Sequence, residues 1–213
     1  MIELYYGFVC NQKGDGKDGV EHLRNAIKYC EEAQMVVMLG LLWTGVGWGY
    51  HLMEELDTAL EHAEMAFKIQ SDGIPLKLSI TYWLLCIVHI DLGNLEDARN
   101  WGEKCLKLSQ DNNEPDTEAL SWILLGRILG KVDPSQSGKA EEYILHGIKI
   151  LDEWNMKAFL SQGYCFLGEL YADTGQTEKA LETLKKAEDM MKEMGMNYWL
   201  RRTQEVLERV EGW

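Results

Sequence analysis

The sequence predicts an all-α fold, an α-α superhelix of about five helix-turn-helix repeats closed by a capping helix. Three observations carry this expectation. The segment Trp43-Thr44-Gly45-Val46-Gly47-Trp48-Gly49-Tyr50 recurs in altered form along the whole chain. The small residues at its centre, Gly7, Gly47, Cys86, Gly126 and Gly168, stand 40, 39, 40 and 42 residues apart. The two-residue alternation of strands is missing, and only three prolines occur in 213 residues. A fixed period of this length means stacked copies of one supersecondary unit, none able to bury its apolar face alone.

Each unit reads as two helices. The first helices are expected near 1–13, 36–53, 75–92, 115–130 and 155–174, and the second near 17–34, 56–71, 95–110, 138–153 and 177–194. Turn residues separate them: Gly14-Asp15-Gly16, Ser71-Asp72-Gly73, Gly93-Asn94, Asp111-Asn112-Asn113 and Asp133-Pro134-Ser135. The chain then forms one array with repeats at about 1–34, 35–73, 74–113, 114–153 and 154–195, and an insertion in loop 131–138. Gly47, Gly126 and Gly168 let the second helix approach closely, and Ala59, Ala98, Ala140 and Ala180 face them from it. A capping helix over 196–211 is expected to cover the last repeat with Tyr198, Leu200, Val206, Leu207 and Val210, leaving Arg201, Arg202, Glu205 and Glu208 outward. No such cap precedes Met1, and Leu4, Tyr5, Tyr6 and Phe8 are expected to be partly bare. The chain is therefore expected to be a piece of a longer protein, or to have that end covered by something else.

The repeat resembles the tetratricopeptide repeat (TPR). Tyr164, Leu167, Gly168, Tyr171 and Ala180 carry its pattern of an aromatic, Leu-Gly, Tyr and a small residue on the second helix, and Trp43 to Ala66 is the other good copy. The usual unit has 34 residues, so these are long repeats. In that respect the chain looks like the TPR arrays of bacterial signalling proteins, LuxR-type ATP-dependent regulators and cyclases. The tail Met194-Gly195-Met196-Asn197-Tyr198-Trp199-Leu200 is similar to the ends of those arrays.

Composition narrows the classes of partner. A net charge of -14 argues against nucleic acid and anionic lipid. Five cysteines, an odd number without Cys-x-x-Cys, suit a reducing compartment, and a cytoplasmic location is expected. Met35 to Met53 holds no charged residue over 19 positions, close to a membrane-spanning length, and contains Gly45-x-x-x-Gly49. Acidic flanks, Glu31, Glu32, Glu54 and Glu55, and the repeat signature inside it favour a buried repeat helix instead.

No catalytic arrangement emerges. His22, His51, His62, His89 and His146 form no pair at three or four residues' spacing, and the cysteines read as small core residues. Asn11 to His22 imitates a calcium loop around Gly16, but Lys13 and His22 occupy ligand places and the bidentate Glu is missing. Gly126 to Lys131 lacks the spacing of a phosphate loop. Neither an enzymatic activity nor a cofactor or metal is expected.

What the TPR resemblance implies is a concave groove lined by the first helices. Carried onto this sequence, its lining includes Phe8, Gly45, Trp48, His51, Trp83 and Ile87, then Arg127 and Glu169, so it is apolar over two thirds and charged beyond. The chaperone-tail binders of the family need lysines, asparagines and an arginine converging on the inner face, and here those places are mostly Leu, Phe, Trp and Ile. An amphipathic helix or hydrophobic segment of a protein or peptide fits better, with self-association as a further expectation. The alternative is a sensory or regulatory domain, taking a small effector, excised from a larger signalling protein or transcription regulator. Two readings of Trp48 and Trp83 stay open: anchors for a partner, or intramolecular core. Gly45 and Gly49 each cost about 1 kcal/mol in a helix interior. Either close packing or room for a ligand has to offset that.

Overall fold

Eight of the helix ends are built in the same way. In the computed structural model, which describes residues 2–212, a residue in the left-handed region follows each of them: Gly14, Gln34, Glu54, Gly93, Asn113, Asn155, Gly175 and Gly195. The next amide then donates back to the carbonyl five residues earlier, as from Glu55 to Tyr50 and from Met156 to Leu151, at 2.8 to 3.0 Å. This Schellman closure satisfies carbonyls that a helix end leaves orphaned. Within each unit it sends a helix back along its predecessor, as α2 on α1, α4 on α3 and α10 on α9.

The helices are α1 (Ile2–Lys13), α2 (Gly16–Glu32), α3 (Leu39–Leu52), α4 (Leu56–Asp72), α5 (Leu78–Asp91), α6 (Leu95–Asp111), α7 (Pro115–Val132), α8 (Ser137–Glu153), α9 (Lys157–Asp173), α10 (Thr177–Met194) and α11 (Asn197–Glu211). No strand occurs among the described residues. Two connections depart from the common turn. Helix α5 begins at Leu78, three residues later than the spacing predicts, because Pro75 disfavours helical backbone at Ile74 and Lys77 stands at φ 54°. Between α7 and α8, in the expected insertion, a short 3-10 turn spans Pro134–Gln136. There Asp133 accepts hydrogen bonds from the Ser135 amide and hydroxyl.

First and second helices bury themselves differently. The first helices contain runs buried all round, residues 44–49, 83–90 and 123–128 among them. That explains the uncharged stretch around Trp48: α3 is a core helix of 14 residues, and no helix among the described residues is long and apolar enough to cross a membrane. Its four glycines are poor helix formers, so burial rather than propensity holds it helical. The second helices are amphipathic, with Ala59, Ala98, Ala140 and Ala180 completely buried. A Cβ at Gly47 would lie 3.1 Å from the Ala59 carbonyl oxygen, and one at Gly126 would lie 2.8 Å from that of Ala140. The close approach assigned to these glycines is therefore present.

The chain divides into two compact units, Met1–Cys105 and Leu106–Trp213. In the first, α3 packs on α1, α2, α4 and α5, around Leu23, Leu42, Val46 and Leu84. In the second, α7 with α8 and α9 with α10 form hairpins around Leu124, Ile144, Leu151 and Leu184.

Helix α11 closes the second unit with a stripe offset from the expected one. Trp199, Thr203, Leu207 and Val210 are its buried residues, while Tyr198, Leu200 and Val206 are only partly covered. Trp199 is 1% exposed and packs edge-on against Phe166, ring centroids 5.8 Å apart. This rotation corrects a second expectation. Arg202 does not point outward but lies against α9, where its Nε donates to Glu169 Oε1 at 3.2 Å.

Candidate functional site

The residue following each signature small residue occupies one register on the first helices: Phe8, Trp48, Ile87, Arg127 and Glu169. Its chemistry differs between the two units.

In the first unit the register is filled and apolar. Phe8 is half-buried, and its ring lies 6.5 Å from that of Trp48. Trp48 meets Trp83, and the two side chains are 5% and 4% exposed. Ile87 is 2% exposed. These side chains are already packed on one another, and little of the two tryptophans is left for a partner to touch. His51 is also interior, its Nε2 2.8 Å from Asp91 Oδ2 on α5.

Gly45 faces the side chains of α1 and α2. A Cβ there would lie 2.8 Å from Leu23 Cδ1 and 3.0 Å from Phe8 Cζ, and one at Gly49 would meet Val20 and the Gly16 carbonyl. The unexplained glycines are thus accounted for by close packing of α3 on α2. Asn11, fully buried, ties this junction together by donating from Nδ2 to the Gly45 carbonyl at 2.8 Å. Its role in α1 replaces the calcium-loop likeness of that segment.

In the second unit the same register is ionic. Arg127 is 5% exposed; its guanidinium lies 4.1 Å from the centroid of the Phe166 ring and its Nη2 lies 3.6 Å from Glu169 Oε2. The other Glu169 oxygen takes the Arg202 Nε bond, and Arg202 lies 5.6 Å from the same ring. Two guanidiniums from α7 and α11 therefore converge on one carboxylate of α9 over an aromatic face. Arg127, Lys131, Phe166, Glu169 and Asp173 line a recess beside them. Asp173 also takes a bond from Arg209 Nη2 at 2.8 Å. Beneath, burial first and the Glu169 charge second push the Cys165 thiol up to about 12, which keeps it protonated.

The structure brings Phe8, Trp48, Trp83 and Ile87 together in one unit, and Arg127 and Glu169 together in the other. Sequence reasoning missed Asp91 as the partner of His51, and missed Arg202 as the completion of the ionic cluster. Phe166, one turn before Glu169 on the same helix, is expected from the groove lining that the TPR resemblance implies, whereas Arg202 comes from a helix outside the repeat register.

A family model for the MalT-like TPR region matches residues 1–211. The chain belongs to this family. None of the curated proteins matches the sequence of this MalT-like TPR region. Among solved structures it is similar to a Rap protein complexed with competence and sporulation factor, with a TM-score of 0.72 at 16% identity, covering 99% of this chain and 63% of that one. It is also similar to aspartyl phosphate phosphatase F from Bacillus subtilis, with a TM-score of 0.64 at 16% identity over 98% of this chain and 57% of the phosphatase. A STAND signal-transduction ATPase with a tetratricopeptide repeat sensor, from Pyrococcus horikoshii, gives 0.61 at 17% identity over 96% of this chain and 31% of that protein. These likenesses establish the fold of long TPR-like repeats. The MalT-like TPR region spans only part of each of these neighbours.

Proposed function

We propose that the chain is a non-catalytic interaction module that holds a peptide or protein segment, with Arg202 as its polar anchor, positioned by Glu169 and the buried Arg127 beneath it. One observation carries the reading: a buried guanidinium stands in a register that the first unit fills with Trp48 and Ile87. Buried ion pairs rarely stabilise a core better than apolar residues of similar size. Since the repeat accepts apolar side chains at this place, the ionic set is better accounted for by recognition. Two arginines against one glutamate leave a positive charge in a chain of net charge -14. Beside it stands the Phe166 ring. This chemistry fits a carboxylate, from a side chain or a chain terminus, next to an apolar residue. The complex of the Rap neighbour with competence and sporulation factor supports a recognition role for this fold. An amphipathic helix with one acidic anchor would meet these requirements, in a cytoplasmic setting.

Selection of a random-peptide library on the whole chain tests this. Peptides with Asp, Glu or a free C-terminus beside an apolar residue are expected to be enriched. Enrichment of basic peptides, or none above a control protein, would contradict it.

A second reading has its own support. The sensor of the STAND neighbour has the same fold and is one part of a larger signalling protein. The chain would then act as the effector-sensing part of such a protein. Loss of effector response in the parent protein after Arg127→Met would favour this version.

A further inference from the structure

The recess beside the ionic cluster carries a second row of charge, further along the same three helices. On α7, Lys131 follows Arg127 by four residues, and on α9 Asp173 follows Glu169 by four. Each pair therefore shares a helix face with a rise of about 6 Å. On α11, Arg209 follows Arg202 by seven, two turns along one face. Phe166 and Leu170, interleaved with the two carboxylates on the same face of α9, supply the apolar lining of the recess.

The two rows are balanced differently. In the first, Glu169 faces two guanidiniums, Arg127 Nη2 at 3.6 Å and Arg202 Nε at 3.2 Å. Arg127 is the buried one, and a buried cation has to be matched, so the charge in excess is that of Arg202. In the second row Arg209 Nη2 already holds Asp173 Oδ1 at 2.8 Å. Lys131 is exposed, and no hydrogen bond or ion pair among the described residues engages its ammonium. The cations Arg127, Lys131, Arg202 and Arg209 thus face only Glu169 and Asp173, in a chain of net charge -14. The two charges in excess stand on opposite walls, Arg202 on α11 and Lys131 on α7, each wall packed on α9.

Resting on the reading of the cluster as an anchor for a protein segment, we infer that the recess recognises two carboxylates rather than one. The occupant is a helical segment with acidic residues four positions apart, the first on Arg202 and the second on Lys131. The spacing follows from the rows. Residues four apart on a partner helix share a face and rise about 6 Å, the step that separates Arg127 from Lys131 and Glu169 from Asp173. An apolar side chain between them on that face meets Phe166 and Leu170. A second acid only two residues from the first points to the far side of the helix and misses Lys131. The contact with exposed Lys131 adds selectivity more than strength.

Fluorescence anisotropy on the whole chain tests this with three end-blocked, alanine-rich helical peptides. The first carries one Glu, with a Leu three residues on. The second adds a Glu four residues after the first Glu, and the third adds it two residues after. The second peptide is expected to bind about threefold to fivefold tighter than the first, and the third to gain little. The gain is expected to disappear in Lys131→Met and to survive in Lys139→Met, which removes the same charge from α8. Single-Glu binding that Arg202→Met weakens, without a gain from the second Glu, overturns the two-carboxylate inference and leaves the anchor standing. Equal gains from both placements, or a gain that Lys131→Met retains, overturn it as well. Absence of binding by all three peptides overturns the inference and the anchor together.

Discussion

Trp83 meets Trp48 edge to face, ring centroids 5.3 Å apart with an interplanar angle of 87°. The contact joins α3 to α5 in an almost water-free interior, so its removal should be felt as lost packing. Trp48→Ala or Trp83→Ala is expected to cost about 3–5 kcal/mol. Urea denaturation checks this: the midpoint should fall sharply with little change in slope. A cost below about 1 kcal/mol would be too small for a core substitution of this kind and would return the tryptophans to the role of exposed anchors.

The glycines of α3 give a prediction with opposite signs at different places. Replacing a helical glycine by alanine normally gains about 1 kcal/mol. At Gly49, however, a Cβ would lie 2.5 Å from Val20 Cγ2 and 2.9 Å from the Gly16 carbonyl oxygen, and backbone cannot move aside cheaply. Gly49→Ala is therefore expected to destabilise by about 1–3 kcal/mol. Gly138, at the start of α8, has nothing within 4 Å of such a Cβ. Gly138→Ala should be neutral or stabilising, and thermal unfolding of the two variants separates the cases.

How far the sequence revealed the site follows from the same residues. The period of Gly7, Gly47, Cys86, Gly126 and Gly168 is local information repeated five times, so the helices were legible within a few residues. The register holding Trp48, Arg127 and Glu169 was legible for the same reason. Gly45 and Gly49 looked like surplus because the pattern describes a repeat in isolation, whereas Leu23 and Val20 belong to the neighbouring one. Arg202 was hidden for a different reason. In α11 the apolar residues Tyr198, Leu200 and Val206 suggest one buried face, and the large Trp199 rotates the helix to another. Which of several amphipathic faces wins depends on the cavity it fills, and that cavity beside Phe166 is a tertiary feature.

Cysteine reactivity should follow burial. Cys165 is buried and held protonated, its thiol raised to about 12, while Cys10 and Cys30 are partly exposed. The thiolate is the reactive form. At neutral pH an alkylating reagent should label Cys30 and, more slowly, Cys10, whose thiol is raised by burial and by Asp15 and Asp18. Cys86, Cys105 and Cys165 should react only after unfolding. Peptide mass mapping would show the order, and early labelling of Cys165 would contradict it.

Acid should loosen the contact between α10 and α11. Glu188 accepts hydrogen bonds from Lys192 at 2.8 Å and from Gln204 of α11 at 2.9 Å. These, with Lys192 first, hold its carboxyl below the ordinary value of 4.5. A depressed carboxylate contributes stability above its unfolded value and loses it as pH falls through its folded one. The melting temperature should therefore decline below about pH 4.5, and Glu188→Gln should flatten that decline. An unchanged acid limb in the variant would remove Glu188 from this role.

The ionic cluster is the centre of the functional account. Its most direct test is the affinity of one acidic, library-selected peptide for the whole chain, measured by fluorescence anisotropy beside Arg127→Met and Arg202→Met. Loss of a charge-assisted bond should weaken binding by about tenfold or more. Arg202, the more exposed of the two, should lose binding with its melting temperature nearly unchanged. Equal affinity for wild type and both variants would contradict the account and reduce the cluster to a staple between helices.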